Sequence, residues 1–429
     1  MIMIKFSDRY DVIVCGGGPA GIAAAVSSAR QGAKTALLER YGIVGGMLTS
    51  GMVCPLLGSV APGTIYDEVI ELLRSTWIVT KNGREMTVGV EEAKHKLLQF
   101  LFDAGVDVFL QTPVVDTVKD GNMLKGIVIS TQYGLKTLHA KVVIDATGDG
   151  FVAASAGAKC LVGRDSDGKC QPATLEFIVE NCDEDKAITC WGTSDPATLA
   201  DGTKYSEFCK AKSAEGELPE NVTIVRLHKT RIPGERGVNA TQANGLDTLT
   251  PEGILAAELE LRNQIEPIVT FLRKYVQGFE NCRLKSTPST LGVRETRRVI
   301  GDYVLKDTDV ERGTQKADVV VHKAWFVIDI HNPVGGGQAE GYARQAIPYD
   351  IPYGCLLPQG LENILTCGRC ISGTHRAHAS YRVMGICLAT GQAAGVAAAL
   401  SALSDITPRA LPVDQLQAAL QRSGAQLFD

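Results

Sequence analysis

The side chains best suited to chemistry lie in the carboxy-terminal half of the chain. His331 follows Asp329 by two residues, so both would lie on one face if residues 324–333 form a strand. A neutral imidazole can accept a proton from a hydroxyl or an amine, and a neighbouring carboxylate can support it. We therefore predict that His331 is a general base. The alternative is that both residues only cap a surface loop.

The densest basic cluster in the sequence is formed by Arg294, Arg297 and Arg298. A guanidinium matches the planar geometry of a carboxylate and can also polarise a carbonyl. We therefore predict that Arg294 positions an anionic or carbonyl group of a substrate. In the alternative, these arginines pair structurally with Glu295 and Asp302.

A glycine-rich turn near the amino terminus has the spacing of a dinucleotide site. Residues 10–15 are typical of a buried strand, residues 22–30 form a small-residue helix, and the turn between them fits G-x-G-x-x-G. The next strand, 35–38, ends at Glu39, whose carboxylate can accept hydrogen bonds from the ribose hydroxyls of adenosine. The turn residues expected to approach the pyrophosphate are Gly16, Gly18, Pro19, Ala20 and Gly21.

Two later segments favour FAD over NAD. A second glycine-rich turn, 45–51, suits a longer cofactor whose flavin end needs further backbone contacts, and residues 141–150 lead a strand into an Ala-Thr-Gly turn. At this point the sequence resembles FAD oxidoreductases of the two-dinucleotide-binding type. The glycines at 335–337 lack the spacing of a second fingerprint because residue 340 is Glu, so no built-in NAD(P)H site is expected.

The carboxy-terminal part holds a second group of candidate residues. A short strand at 363–367 leads through a loop into a helix rich in alanine and glycine, 384–400. His378 and His375 in that loop are rival bases, and either could carry a covalent flavin link. Tyr353 could orient substrate, although a buried tyrosine with a satisfied hydroxyl is the commoner case.

Cys367 and Cys370 form a C-x-x-C motif just before that loop. As a zinc half-site the motif lacks a second pair. A dithiol that exchanges electrons with a flavin is chemically sound, but the default interpretation of the pair is structural. The amino terminus of the helix that follows suits the negative charge of a reduced flavin.

Eight segments spread from about Tyr10 to Leu403 carry a family resemblance: GGGPAG, GIVGGMLTSG, IDATGDG, LGVRETRRVIGDY, IDIHNP, YDIPYG, CGRCIS and VMGICLATGQAAGVAAAL. Together they strongly resemble one bacterial family of FAD-dependent oxidoreductases, related to heterodisulfide reductase flavoproteins of the A type and, more distantly, to fumarate reductase. The resemblance implies FAD as the cofactor and no metal. It adds these expected cofactor contacts: Arg40, Gly45, Gly46, Thr49, Val114, Thr147, Gly148, Asp149, Gly368, Arg369, Met384 and Gly385.

The predicted fold class is α/β, with a Rossmann-like FAD-binding domain of the glutathione-reductase type and an inserted α+β substrate domain. We predict residues 1–158 as the first part of the FAD domain and 159–354 as the inserted domain. Residues 355–403 would return to the FAD domain, and 404–429 would form a tail. Residues 160–250 match the family least well, so they should shape the substrate pocket.

Charge and composition exclude several classes of protein. The 429 residues include 43 basic and 48 acidic side chains, and the net charge of −5 argues against nucleic acid or an anionic membrane as the main partner. The amino terminus shows no secretory signal, and the longest apolar run, 383–400, is polar enough to predict a buried helix. Twelve scattered cysteines predict reduced thiols in a cytoplasmic protein.

These features predict an FAD-dependent dehydrogenase or oxidase. It would move a hydride to flavin N5 from a small polar substrate: a hydroxy acid, polyol, glycoside or amine. Two alternatives stay open, a reductase of an activated C=C bond and a flavoprotein subunit that relays electrons within a complex. The sequence identifies neither the electron acceptor nor the oligomeric state, and a homo-oligomer is compatible with it.

Overall fold

A computed structural model gives the structure of residues 6–79, 86–337 and 344–429. The helices in these ranges are α1 (Pro19–Arg30), α2 (Ile65–Leu73), α3 (Val90–Asp103), α4 (Phe151–Ser155), α5 (Tyr205–Ala214), α6 (Pro251–Tyr275), α7 (Asp307–Arg312), α8 (His375–Tyr381), α9 (Met384–Leu403) and α10 (Val413–Arg422). The strands are β1 (Arg9–Cys15), β2 (Thr35–Leu38), β3 (Trp77–Val79), β4 (Met86–Val88), β5 (Asp107–Phe109), β6 (Val114–Asp120), β7 (Met123–Thr131), β8 (Gly134–Asp145), β9 (Cys160–Val162), β10 (Phe177–Glu180), β11 (Arg226–Lys229), β12 (Arg236–Asn239), β13 (Arg283–Ser286), β14 (Arg297–Val299), β15 (Val319–Ala324), β16 (Tyr349–Pro352) and β17 (Ile364–Thr366).

The largest sheet combines strands from both ends of the chain. Its strand order is β5-β2-β1-β8-β7-β6, and β17 also pairs with β8. The pairs among β5, β2, β1, β8 and β17 are parallel, whereas β6, β7 and β8 form an antiparallel meander. This is the predicted Rossmann-like α/β architecture, which the structure confirms.

The parallel strands end at a common edge, and this edge positions the candidate site. Cys15 at the end of β1 is in register with Leu38 of β2 and with Asp145 of β8, and Asp145 is in register with Thr366 of β17. The turns that follow these strands therefore meet, as ligand-binding loops do at the carboxyl ends of open parallel sheets.

Helices α1 and α9 pack closely because small residues face each other. A Cβ at Gly391 would collide with the Ala20 carbonyl, and a Cβ at Gly395 would collide with that of Ala24. Among the described residues, α9 is the only helix that is long and apolar enough to cross a membrane. However, 89% of its apolar window is buried inside the protein, as expected for a core helix.

A second hydrophobic core lies in the middle of the chain. Strands β10–β13 form an antiparallel sheet of order β11-β12-β10-β13, and buried residues between Phe177 and Cys282 pack around it with α5 and α6. In contrast, apolar residues of 305–357 and of 411–427 belong to the core around α1 and α9. Core packing therefore favours a smaller inserted domain than the predicted 159–354, and the predicted tail packs on the FAD domain.

Two local predictions were wrong. Residues 325–333 do not form a strand: β15 ends at Ala324, and the segment is then held by isolated bridges from Trp325 to Ser59 and from Ile328 to Arg344. The predicted loop around His375 and His378 is helix α8. Thr374 caps the amino terminus of this helix, because its hydroxyl accepts a hydrogen bond from the Ala377 N–H (3.2 Å).

The contact between α1 and α9 predicts a stability change. Gly391→Ala should destabilise the FAD-bound protein by about 1–3 kcal/mol, because the added methyl forces two backbones apart. Thermal unfolding measures this change. Gly192→Ala is the control, since a Cβ there meets no atom within 4 Å, and it should alter stability by less than about 0.5 kcal/mol. Equal melting temperatures for both variants would contradict this account of the packing.

Candidate functional site

The amino-terminal glycine turn is shaped for close approach by a pyrophosphate. Gly16 has a φ of 109°, and a Cβ there would lie 2.7 Å from the carbonyl carbon of Ala146. At Gly18, by contrast, a Cβ would meet no atom within 4 Å, so the space before its backbone is open. Gly18 is also the N-cap of α1 and makes no side-chain cap bond. The first N–H groups of α1 and its positive dipole end can therefore receive an anion.

The second glycine turn lies directly against the first. The Gly45 N–H donates to the Gly17 carbonyl (2.7 Å), and a Cβ at Gly46 would lie 2.9 Å from the Gly18 Cα. The Thr49 hydroxyl donates to a carbonyl of the same turn (2.6 Å), so this side chain holds the turn. Together the two turns form a continuous backbone cradle, and the residues present fit a dinucleotide.

Glu39 stands at the end of β2, where the ribose is expected. One carboxylate oxygen accepts the Gly17 N–H (2.7 Å), and the other accepts the Tyr41 N–H (2.8 Å). Burial raises the pKa of Glu39, and these two N–H donors oppose that rise. The side chain is therefore fixed, and its remaining lone pairs can accept ribose hydroxyls.

The other residues predicted around the adenosine end lie close to Glu39. Arg40 is exposed, and its guanidinium lies 4.8 Å from the ring centroid of Tyr41. Val114 begins β6 and is half-buried. The segment before it is joined to Glu39, whose carbonyl accepts the Thr112 N–H (2.8 Å).

The carboxy-terminal return reaches the Ala-Thr-Gly turn through an ion pair. Arg369 pairs with Asp149 and also donates to the Thr296 hydroxyl (3.1 Å). Although burial alone would raise the pKa of Asp149, the charge of Arg369 lowers it. The guanidinium also lies against Gly148, where a Cβ would be 3.1 Å away. The Thr147 hydroxyl donates to Asp145 (2.7 Å), which holds the turn on β8.

The first turn of α9 packs on the segment after the second glycine turn. The Gly385 N–H donates to the Leu57 carbonyl (2.9 Å), and a Cβ at Gly385 would lie 2.8 Å from the Gly58 carbonyl oxygen. The Gly385 N–H is therefore already paired. Met384, at the start of the helix, is half-buried.

A group of charged side chains meets beside this turn. Arg382 lies directly before Val383, the N-cap of α9, and donates to the Asp329 carboxylate (3.1 Å). His331 Nε2 lies 3.2 Å from the same carboxylate oxygen. The backbone N–H of His331 donates to the side-chain oxygen of Gln171 (3.1 Å). The predicted pairing of His331 with Asp329 is therefore present, although no strand produces it.

Burial sets the protonation state of this pair. It lowers the pKa of His331 to about 3, with the charge of Arg294 adding to the effect and Asp329 opposing it. Burial alone would raise the pKa of Asp329, but His331 and Arg382 hold it well below its usual range. At neutral pH the imidazole is neutral and the carboxylate is ionised. The imidazole then donates from Nε2 and keeps a lone pair on Nδ1, which can accept a proton.

Arg294 belongs to the same group. Its Nη1 donates to the Pro172 carbonyl (2.8 Å). Burial, together with the charges of Arg382 and Arg226, lowers the pKa of Arg294 to about 9, yet the guanidinium stays charged at neutral pH. The neighbouring Glu176 is 6% exposed, and burial raises its pKa to about 7 against the opposing charges of Arg294 and Arg226.

The remaining arginines of the predicted cluster have structural partners. Arg298 is buried, pairs with Glu295, and donates to the carbonyls of Gly163 (2.7 Å) and Gly373 (2.9 Å). His375 Nδ1 lies 2.9 Å from the same Glu295 carboxylate. Of the three arginines, Arg294 alone lies with the His331–Asp329 pair.

The sequence model of the family described as FAD dependent oxidoreductase matches residues 11–420. The chain belongs to this family. FAD is therefore its cofactor, and the glycine cradle with Glu39 is where the structure fits it. Among the described residues, no group of three or more His, Cys, Asp or Glu side chains could hold a metal ion.

Curated relatives of this flavoprotein match only parts of it. A thiamine thiazole synthase from Methanococcus aeolicus is 32% identical over 33% of this chain and 55% of its own length. A digeranylgeranylglycerophospholipid reductase from Methanocaldococcus jannaschii is 29% identical over 37% of this chain and 43% of its own. A dihydrolipoyl dehydrogenase from Zymomonas mobilis is 29% identical over 58% and 53%. The chain thus spans about half the length of these relatives. None of the three is named as a heterodisulfide or fumarate reductase, so that relation stays a prediction.

Solved structures share the fold over nearly the whole flavoprotein. A geranylgeranyl bacteriochlorophyll reductase-like protein from Thermoplasma acidophilum covers 97% of this chain and 82% of its own, with a TM-score of 0.50 and 14% identity. The p-nitrophenol 4-monooxygenase of Pseudomonas putida covers 97% and 85%, with a TM-score of 0.50 and 11% identity. At these identities the likeness concerns the fold alone.

Four predicted candidates lie away from the charged group or have no access to it. The Tyr353 hydroxyl is buried and donates to the Pro408 carbonyl (2.9 Å), which is a structural role. His378 is fully buried, and burial lowers its pKa, so no substrate can reach it as a base. Cys367 and Cys370 are fully buried free thiols whose pKa burial raises, which suits the structural interpretation.

Three members of the charged group were not found from the sequence. Glu176 and Arg226 lie in the least family-like region, where Glu176 directly precedes β10 and Arg226 begins β11, and Arg382 lies beside an apolar helix. Only Arg382 carried a local signal, because a charged residue directly precedes the helix start.

The geometry of Glu39 predicts a change in cofactor affinity. Glu39→Gln places an amide N–H₂ opposite a buried backbone N–H, so FAD binding should weaken by about 1–3 kcal/mol, or roughly 5- to 150-fold in dissociation constant. Fluorescence titration of the apoprotein with FAD measures this. Glu68→Gln, which removes an exposed partner of Arg30, is the matched control and should bind FAD normally. Unchanged affinity in Glu39→Gln would exclude Glu39 from the cofactor site.

Proposed function

We propose that this FAD-dependent oxidoreductase moves a hydride from a small polar substrate to the cofactor, with His331 as the acceptor of the substrate proton. The observation that carries the proposal is the buried pair of a neutral imidazole and an ionised carboxylate beside the first turn of α9. Bound FAD supplies the hydride acceptor at N5 of its flavin ring. The substrate proton leaves its hydroxyl or amine for His331 Nδ1, and the electron pair leaves with the hydride.

Asp329 supports this transfer in two ways. Its hydrogen bond to Nε2 fixes the tautomer and the orientation of the imidazole. Its negative charge also stabilises the imidazolium that forms when Nδ1 accepts the proton. Because burial lowers the pKa of His331 to about 3, the imidazole is unprotonated across the neutral pH range.

A second candidate function has support from Arg294. A reductase of an activated C=C bond needs a proton donor, and burial together with two neighbouring arginines makes Arg294 more acidic than an ordinary guanidinium. Reduced FAD would supply the hydride in that reaction, and Arg294 would deliver the proton to the adjacent carbon.

The free state of all twelve cysteines supports a reducing compartment, and we propose the cytoplasm. The relatives named above act on different molecules, so their names do not select a substrate for this chain.

Replacing His331 tests the leading function. The purified holoprotein is mixed anaerobically with pools of hydroxy acids, polyols, glycosides and amines, and bleaching of the visible flavin spectrum is followed. His331→Ala should keep FAD bound but reduce its flavin about 10²–10⁴-fold more slowly, which is the usual contribution of general base catalysis. His139→Ala, at an exposed histidine, is the control and should reduce at the normal rate.

Two results would change the assignment. Normal reduction in His331→Ala would remove His331 from the proton transfer. If no pool bleaches the native protein, the reductase is tested by reducing the flavin with dithionite and adding an enoate. Reoxidation by the enoate that is lost in Arg294→Lys would establish the second candidate.

A further inference from the structure

Three arginines from separate parts of the chain converge on the His331–Asp329 pair. Arg226 begins β11, Arg294 lies before β14, and Arg382 lies before α9. The charges of Arg226 and Arg382 lower the pKa of Arg294, and the charge of Arg226 acts on both members of the pair. Arg382 and His331 both contact the Asp329 carboxylate. Arg226 and Arg294 are close enough for their charges to act on this pair, so the five groups share one site.

The guanidinium groups in this site have unused donors. The Arg226 residue is half-buried, and its guanidinium makes no hydrogen bond or ion pair within the described ranges. Arg294 donates from one nitrogen to the Pro172 carbonyl. Arg382 donates from Nη2 to Asp329, while its Nε is buried and has no protein partner among the described residues.

Two amide side chains at the same place also have a buried atom without a partner in the described part of the chain. The Gln171 side-chain oxygen accepts the His331 N–H, but its amide nitrogen is unpaired, and Gln171 is only 3% exposed. The Asn244 amide nitrogen donates to the Asn332 carbonyl (2.7 Å), but its side-chain oxygen is unpaired. Buried polar atoms rarely stay without a partner, so these groups and the arginines indicate a polar ligand.

The charges favour an anion. One carboxylate, Asp329, is ionised at neutral pH, and burial raises the pKa of Glu176 to about 7 against the opposing charges of Arg294 and Arg226. The positive charge of the three guanidinium groups therefore exceeds the negative charge inside the site. An uncompensated buried charge is costly, whereas an anionic ligand with matching hydrogen bonds removes that cost.

We propose that Arg226 and Arg294 bind the carboxylate of an α-hydroxy acid and that its hydroxyl lies toward His331. The guanidinium fork matches a carboxylate in two parallel hydrogen bonds. In an α-hydroxy acid the hydroxyl is one carbon from the carboxylate, and Arg294 is close enough to His331 for its charge to lower the pKa of the imidazole. Polyols, glycosides and amines offer no negative group for the arginines.

This inference rests on the proposed function for the hydroxyl and the hydride, but carboxylate binding itself does not depend on turnover.

Glu176 makes the binding depend on pH. The groups that face it are Arg294, Arg226, Asn239, which donates to its carboxylate (2.7 Å), and the thiol of Cys54. Below about pH 7 the Glu176 carboxyl is protonated and the arginines are free for a ligand. Above it the ionised carboxylate competes for them. Carboxylate affinity should therefore fall as the pH rises from about 6 to about 8.

The test is equilibrium binding to the oxidised holoprotein. Acetate, glyoxylate, oxalate and malonate are titrated, and the matched neutral amides and inorganic phosphate are titrated in parallel. Binding is followed by the shift of the flavin absorbance and by calorimetry. We expect at least one carboxylate to bind and its amide to bind at least about tenfold more weakly, since one charged hydrogen bond contributes at least this much.

Variants identify the arginines. Arg226→Gln should weaken carboxylate binding at least about tenfold, and Arg226→Lys should recover part of it, because a lysine keeps the charge but loses the fork. Arg231→Gln, an exposed residue of the same domain paired with Glu92, is the matched control and should bind normally. Glu176→Gln should remove the loss of affinity between about pH 6 and about pH 8.

Each outcome separates this inference from the proposed function. Carboxylate binding that requires Arg226, without flavin reduction by any hydroxy acid, keeps the anion site and overturns hydride transfer. Flavin reduction by a polyol, glycoside or amine, with no carboxylate binding, overturns the anion site alone. Equal binding of carboxylates and amides, tighter binding of phosphate, or an unchanged affinity in Arg226→Gln also overturns it.

Discussion

The close contact between α1 and α9 is the constraint on which the rest of the structure depends. Gly391 and Gly395 leave no side chain between the two helices, so the carbonyls of Ala20 and Ala24 occupy that space. The contact fixes the carboxy-terminal return against the first glycine turn and completes one FAD domain from both ends of the chain. It also sets the position of Arg382, because this residue directly precedes the N-cap of α9. This packing between small residues thus positions both the cofactor cradle and the start of α9, where Arg382 joins the charged site.

Burial then decides the charge of the site. It lowers the pKa of His331 and of Arg294, and it raises the pKa of Glu176, so each of these groups moves toward its neutral form. Asp329 is the exception, since hydrogen bonds from His331 and Arg382 hold its pKa well below the usual range. His331, a proton acceptor, and Asp329, a fixed negative charge, therefore lie side by side. Asp329 stays ionised because strong donors surround it, whereas His331 is neutral because burial disfavours its charged form.

The cofactor domain was predictable from the sequence because its signals are local. The strand, the glycines, α1 and Glu39 follow one another within a short segment. Periodicity failed at residues 325–333, because this segment is fixed by distant bridges rather than by a neighbouring strand. The charged site was predictable only in part. Its members come from the inserted domain, the segment before β14 and the start of α9, and only the fold brings them together.

The chain therefore has two kinds of functional residue: those of the cofactor cradle, which carry a local sequence signal, and those of the charged site, which only the fold brings together. Arg226 of β11 is in register with Asn239 of β12. The Asn239 amide donates to the carboxylate of Glu176, which directly precedes β10 (2.7 Å). The three side chains form a row across one end of the inserted sheet, outside the buried apolar residues that stabilise that domain. Substitutions in this row would alter the ligand without disturbing the apolar core or the glycine cradle. One cofactor domain can therefore serve different substrates when the row changes, which explains why a family match establishes FAD while the substrate must be argued from the site.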